Sequence, residues 1–152
     1  MIRAFHSNDS NTLWQLFFNT VRNVNRQHYS QQQVEVWAKE DIELSLWQQR
    51  MITLDPFVCL RQGIIAGYAD LQDDGLIDHF YCHREFQGQG VGRELMTHIH
   101  QLAEQKGLDY LYSNVSITAR PFFERFGFSV TKEQRNEREG VLLINYRMEK
   151  RV

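Results

Sequence analysis

The stretch IDHFYCHREFQGQGVGRELM, residues 77–96, decides how this chain is read. Ile77 to Cys82 is mostly β-branched or aromatic and carries no breaker, so the pattern predicts a strand. Gly88, Gly90 and Gly92 follow at every second position, and Val91, Leu95, Ile99 and Leu102 then recur at helical spacing. A glycine-rich turn therefore stands at a helix N-terminus. Unpaired amides and the positive end of the helix dipole favour an anion there. Glycine lets the backbone approach that anion without a Cβ in the way. A dinucleotide fingerprint would need glycine where Arg93 stands, and a P-loop would need Gly-Lys-Ser/Thr, which is absent.

Size and charge narrow the field. A chain of 152 residues fits one domain over 1–152 and is long enough to bury its own core. A net charge of −2 gives no basic footprint for nucleic acid or an anionic membrane. Cys59 and Cys82 lack metal-ligand or redox spacing and fall in predicted strands, which suits a reducing compartment. No metal is expected. The first residues show no apolar signal core, and no run nears the ~18 apolar residues of a membrane span. A cytoplasmic protein is expected.

Ile2 to Phe5 reads as a short strand, and the S-N-D-S cluster at 7–10 offers a helix cap. Leu13, Leu16, Phe17, Thr20, Val21 and Val24 mark one helical face. Ser30 can cap a second helix carrying Val34 and Trp37. Between Asp41 and Met51, Ile42, Leu44 and Leu46 alternate like a strand, but the Gln, Glu, Arg and Leu content favours a helix. Phe57 to Arg61 and Ile64 to Leu71 read as strands joined across Gln62-Gly63. Asp73-Asp74-Gly75 turns into the central strand, and its helix is closed by Gly107. Tyr110 to Val115 is the next strand, followed by a short helix from Ala119 to Phe126. Phe128 to Lys132 and Val141 to Glu149 form a last antiparallel pair, with Leu142, Ile144, Tyr146 and Met148 on one face. The order predicts an α/β, or mixed α+β, layout.

The turn itself is Gln87-x-x-Gly90-x-Gly92. It resembles the pyrophosphate loop of the GCN5-related N-acetyltransferases, usually Gln/Arg-x-x-Gly-x-Gly/Ala. A second segment, Ala119-x-x-Phe122-Phe123-Glu124-Arg125-Phe126-Gly127-Phe128, resembles the family's later Ala-x-x-Phe-Tyr-Glu-Lys-x-Gly-Phe. The resemblance implies that family's acyl-coenzyme A N-acyltransferase fold. Its mostly antiparallel central sheet splays between the fourth and fifth strands and is flanked by helices. It also implies acetyl-coenzyme A as cosubstrate, with pantetheine in the splay. The acceptor implied is a primary amine, on a small molecule or a peptide. Homodimers are a habit of the family, although no residue here points to one.

Carried over residue by residue, the resemblance assigns cofactor contacts to Phe80, Tyr81, Cys82, Gln87, Gly88, Gln89, Gly90, Val91, Gly92 and Arg93. It extends them to Asn114, Ala119, Phe122 and Phe123. Acetyl transfer needs a neutral amine, yet a lysine-like amine has a pKa of ~10.4, so a base is useful. Asp78 and His79 are the candidates nearest the splay; neighbours on a regular strand point to opposite faces, and the choice stays open. The departing thiolate needs a proton, but the family's usual tyrosine is Phe123 here. Ser116, matching the family's frequent asparagine, is the replacement considered with the catalytic pair, alongside Tyr112, Tyr146 and water. Tyr29, Trp37 and Tyr146 are the expected acceptor contacts. Phe123 also keeps a second reading open: a sensor or partner-binding module that holds acyl-coenzyme A without turning it over.

Overall fold

A computed structural model describes residues 1–152. In chain order, β1 (Ile2–Ala4) leads to three helices, α1 (Ser10–Asn23), α2 (Gln31–Trp37) and α3 (Leu44–Leu54). Strands β2 (Phe57–Arg61), β3 (Ile64–Ala69), β4 (Leu76–Ile77) and β5 (Phe80–Cys82) follow. Then come α4 (Val91–Lys106), β6 (Tyr110–Ser116), α5 (Arg120–Arg125), β7 (Ser129–Arg138) and β8 (Val141–Arg151).

The strands make two four-stranded sheets, ordered β1-β2-β3-β5 and β4-β6-β8-β7. Every pairing is antiparallel except β4 with β6. The expected splayed, mostly antiparallel architecture therefore forms. One expectation needs correction: Ile77 to Cys82 is not a continuous strand. Its first half pairs with β6, where Ile77 faces Ser113, and its second half pairs with β3, where Phe80 faces Ala69. At the break, the backbone N–H groups of His79 and Asp78 donate to the Asp70 carboxylate, at 2.6 and 3.3 Å. A side chain thus satisfies amides that a strand ladder would otherwise use.

Helices cover both faces. Leu13, Phe17 and Val21 of α1 join Val34, Trp47 and Met51 in one core, against Val58 and Tyr68. Leu95, Met96 and Ile99 of α4 build the other, against Cys59, Ala69, Ile77 and Leu111. Alternate side chains of β2 and β3 thereby enter opposite layers. Gly67 permits the close approach of α4, since a Cβ there would stand 2.7 Å from Val91 Cγ1.

Several element boundaries differ from the sequence pattern. The cluster at 7–10 forms a 3-10 turn, in which Asp9 accepts from the His6 amide and pairs with Arg3 instead of capping α1. Ser30 does cap α2, in a reciprocal box with Gln33. The ambiguous 41–51 segment is helical but runs from Leu44 to Leu54. β7 and β8 are longer than predicted and form one extended hairpin. Leu142 is exposed on it, whereas Leu143, on the opposite face, is buried in the core with α2.

Asp70 is wholly buried, and burial lifts its carboxyl to about 6, against the opposing pull of Gln72 and the two amides. A folded-state value above the ordinary carboxylate range means that the folded state holds the proton more tightly. That contribution is complete below about pH 4 and is lost as pH rises through about 6. Asp70→Asn removes it. The stability difference between wild type and variant, from urea unfolding at successive pH values, should move against the wild type by roughly 2–3 kcal/mol across that window. A pH-independent difference would contradict the assignment.

Candidate functional site

The break between β4 and β5 opens two cavities that meet at Phe80, Tyr81, Ser116 and Ala119. One, of about 440 Å³, is floored by the glycine-rich turn and the start of α4. The other, of about 500 Å³, lies under the β7–β8 hairpin and beside α1 and α2. The first is the loop cavity and the second the hairpin cavity.

Gly90 adopts φ +78° at the N-cap of α4, and Gly88 adopts +76°, the left-handed region that glycine enters without strain. The first helical amide with a backbone partner is Glu94, which donates to the Gly90 carbonyl at 3.0 Å. The amides of Gly88, Gly90, Val91, Gly92 and Arg93 have no partner within the protein. Gln89 differs from expectation, because its amide already donates to the Phe86 carbonyl at 3.3 Å. Gln87 secures the turn by its side chain, which donates to the Cys82 carbonyl at 3.0 Å.

Sequence reading missed Arg61. Its guanidinium reaches the Gln89 carbonyl at 3.3 Å and Glu94 at 3.0 Å, which ties the turn to the first helical turn of α4. Glu94 stays ionised: the Cys59 thiol, donating at 2.6 Å, leads the contacts that bring its carboxyl down to about 2. Burial, then Glu94, pushes that thiol up to about 11, so Cys59 is no nucleophile at neutral pH. Cys82 lines the loop cavity and burial raises it to about 12, with the same consequence.

β5 is the last strand of its sheet, so one edge is open. The His83 amide donates to Ala66 of β3 at 2.7 Å. By strand alternation Tyr81 also turns its backbone groups to β3, while Phe80 and Cys82 turn theirs to the open edge. There the Cys82 carbonyl accepts from Thr20 Oγ1 at 2.9 Å. Phe122 forms the far wall of the loop cavity, close enough to Gly92 that a Cβ there would meet its ring at 3.0 Å. Arg93 lies at the rim with its guanidinium over the Phe126 ring.

Ser116, on the wall shared by both cavities, accepts from the Ala119 amide at 3.0 Å and from Asn25 Nδ2 at 3.3 Å. Its own hydroxyl proton is left free to be donated. Asp78 is exposed on the wall of the hairpin cavity. His79 lines the same cavity but is only 3% exposed. Burial, reinforced by the Arg50 charge, lowers its imidazole to about 3. It is neutral at physiological pH and too weak a base to hold a proton there, which removes the advantage its ordinary value of ~6.5 offered.

Three further expected contacts stand away from the cavity they were expected to line. Asn114 and Phe123, expected beside the cofactor, line the hairpin cavity and not the loop cavity. Phe123 is buried edge-on against Phe80 and Phe128. Tyr146 lines neither cavity; Arg120 covers its ring at 4.7 Å. Tyr29 and Trp37 do line the hairpin cavity. Tyr29 is also a structural bracket, since its hydroxyl donates to the Ile144 carbonyl at 2.6 Å and accepts from the Ile117 amide at 3.0 Å.

The hairpin contributes a ledge of carboxamides that the sequence analysis did not find. Gln134 Nε2 donates to Asn114 and Asn145, both at 2.9 Å, and Asn136 Nδ2 donates to Asn145 at 3.0 Å. The i, i+2 spacing of Gln134 and Asn136 was the available signal, but the predicted strand stopped at Lys132.

Fold and turn together define an acetyltransferase of the GCN5-related (GNAT) type. The profile of the acetyltransferase (GNAT) domain matches residues 25–150. An uncharacterized N-acetyltransferase of Escherichia coli K12, YafP, is 30% identical over 147 residues, covering 97% of this chain and 93% of YafP. A GCN5-related N-acetyltransferase from Rhodopseudomonas palustris superposes with a TM-score of 0.94 at 24% identity, covering 100% of this chain and 95% of the other. YncA from Salmonella typhimurium, solved with acetyl-coenzyme A, superposes with a TM-score of 0.71 at 18% identity, over 99% and 92% of the two chains. The chain belongs to the GNAT acetyltransferase family.

Two variants test the turn by calorimetry with coenzyme A. Gly90→Glu places bulk and negative charge against the unpaired amides, and Arg61→Ala releases the turn while leaving those amides in place. Gly90→Glu should weaken binding by more than about tenfold and Arg61→Ala by less, about threefold to tenfold. Wild-type affinity in Gly90→Glu would refute the assigned turn.

Proposed function

We propose that the protein transfers the acetyl group of acetyl-coenzyme A to a primary amine, by direct attack while both substrates are bound. One observation carries this reading: a cavity with five unpaired amides at a helix N-terminus meets a second cavity at the open edge of β5. The amides suit a pyrophosphate. The Cys82 carbonyl is taken by Thr20 and Gln87, so the backbone groups of Phe80 and the N–H of Cys82 are those that suit the amides of pantetheine, and the shared wall suits the thioester. The amine then enters from the hairpin cavity.

The chemistry follows from what lines that wall. Asp78 takes a proton from the incoming ammonium, directly or through water. The neutral amine nitrogen attacks the thioester carbon, and a backbone N–H at the β5 edge stabilises the oxygen that becomes negative. The intermediate collapses by breaking the C–S bond. Its thiolate takes the Ser116 proton, which solvent restores, and the amide nitrogen loses its remaining extra proton to solvent. Ser116 is one carrier among those the site offers. A thiol with a pKa near ~8.5 leaves tolerably as thiolate, so loss of the family's tyrosine at Phe123 is compatible with turnover. Phe123 also favours a second reading, in which the fold holds the thioester as a sensor.

Thiol release from acetyl-coenzyme A across a panel of amines separates the two. Amine-dependent release is expected, and Asp78→Asn should lower kcat/KM by ~10²–10⁴-fold while the affinity for acetyl-coenzyme A is unchanged. Equal rates in the variant would remove Asp78 as base. Tight binding without release on any amine would favour the sensor.

A further inference from the structure

His79 and Tyr68 form a buried pair that the proton path above does not use. Tyr68 is 0% exposed, and its hydroxyl lies 2.9 Å from His79 Nδ1. That contact is the only hydrogen bond the hydroxyl makes. If Nδ1 carried the proton and donated to the tyrosine oxygen, the tyrosine O–H would be left buried without an acceptor. An orphaned buried donor costs about 1–3 kcal/mol. The reverse arrangement leaves nothing orphaned: Tyr68 donates to Nδ1, and the imidazole proton sits on Nε2. No buried polar side-chain atom lacks a partner, so Nε2, which has none in the protein, is open to the hairpin cavity. Phe17, Trp47 and Tyr81 pack around the ring at centroid distances of 6.0, 6.1 and 5.7 Å and hold its orientation. The charged groups that face this region are Arg50 and Arg138 opposite Asp78 and Glu137, so the cavity carries no dominant sign.

We propose that His79 is a fixed hydrogen-bond donor, with Nε2–H pointed into the hairpin cavity, and that it selects amines carrying an oxygen acceptor close to the reacting nitrogen. Tyr68 is the positioning residue that sets the tautomer. The carboxamide ledge of Gln134, Asn136 and Asn145 across the same cavity supplies further polar partners for such a molecule. A plain alkylamine would leave the buried Nε2–H unpaired, and a buried polar group penalises that omission. The acceptor class deepens the reading of the hairpin cavity as the amine site and rests on it, whereas the tautomer stands on the free protein alone.

The test has two parts that fail separately. Long-range ¹H–¹⁵N spectra of ¹⁵N-histidine protein should show His79 with the proton on Nε2 and an acceptor Nδ1, unchanged from pH 5 to 8. Tyr68→Phe should convert it to a mixture of tautomers. An Nδ1–H tautomer, or an imidazolium appearing near pH 6, would overturn the proposal. The second part titrates matched amines of equal length into the coenzyme A-bound protein: an amino amide, an amino alcohol, an amino acid and an alkylamine. The oxygen-bearing amines should move the His79 Nε2 signal, and the best of the three identifies the group. Their kcat/KM should exceed that of the alkylamine by about tenfold, the ratio one net hydrogen bond supplies. His79→Leu should erase the preference and His79→Gln, which keeps a donor, should restore part of it. An alkylamine that perturbs the signal equally and is acetylated equally would refute the selection. Signal movement without turnover of any amine would instead refute the proposed reaction and leave the donor in place.

Discussion

Two backbone amides at Asp78 and His79 are held by one buried carboxylate, Asp70, and the separation of the two sheets depends on that contact. A regular strand from Ile77 to Cys82 would keep its neighbours on both sides and leave no opening. Here Leu76–Ile77 stays with β6 while Phe80–Cys82 stays with β3, and the chain crosses between sheets over two residues. The cost of burying a carboxylate is partly offset by three donors, including Gln72 at 2.7 Å. The same crossing sets the open edge of β5 against Ser116 and places Asp78 and His79 on the hairpin side. Fold and site are therefore one feature seen at two scales.

Within the site, geometry separates residues that are adjacent in sequence. Asp78 is exposed to the hairpin cavity, whereas His79 is packed among aromatic rings and bonded to Tyr68, with only the edge of its ring reaching the cavity. One is suited to take a proton, and the other to offer one in a hydrogen bond. Phe122 and Phe123 divide in a similar way, the first toward the loop cavity and the second into the wall of the hairpin cavity. Arg61 braces the turn without entering the row of unpaired amides, so the cradle combines stiff support with bare donors.

The glycine turn and the helix after it were legible because their signals are local: spacing, φ-permissive residues and a 3.6-residue period. The architecture was legible because the Gln87 and Ala119 segments resemble a known family. The strand break was not, since Asp70 lies eight residues before Asp78 and nothing in a strand pattern marks a distant carboxylate as its partner. Arg61 and Tyr68 were missed for the same reason, because their roles arise from contacts across sheet and helix. The positions of Asn114 and Tyr146 were not legible, because strand alternation gives a face but not which cavity that face meets. The composition of 42% hydrophobic residues predicted a core but could not show that it divides into two, one on each side of the sheet.

The central claim is that the bare amides at the start of α4 and the open edge of β5 hold one extended ligand between them. A crystal structure of the protein with acetyl-coenzyme A tests it most directly. The account predicts pyrophosphate oxygens on the amides of Gly88, Gly90 and Gly92, pantetheine along Phe80 to Cys82, and the thioester beside Ser116. Coenzyme A bound on another surface, with those amides still empty, would contradict it.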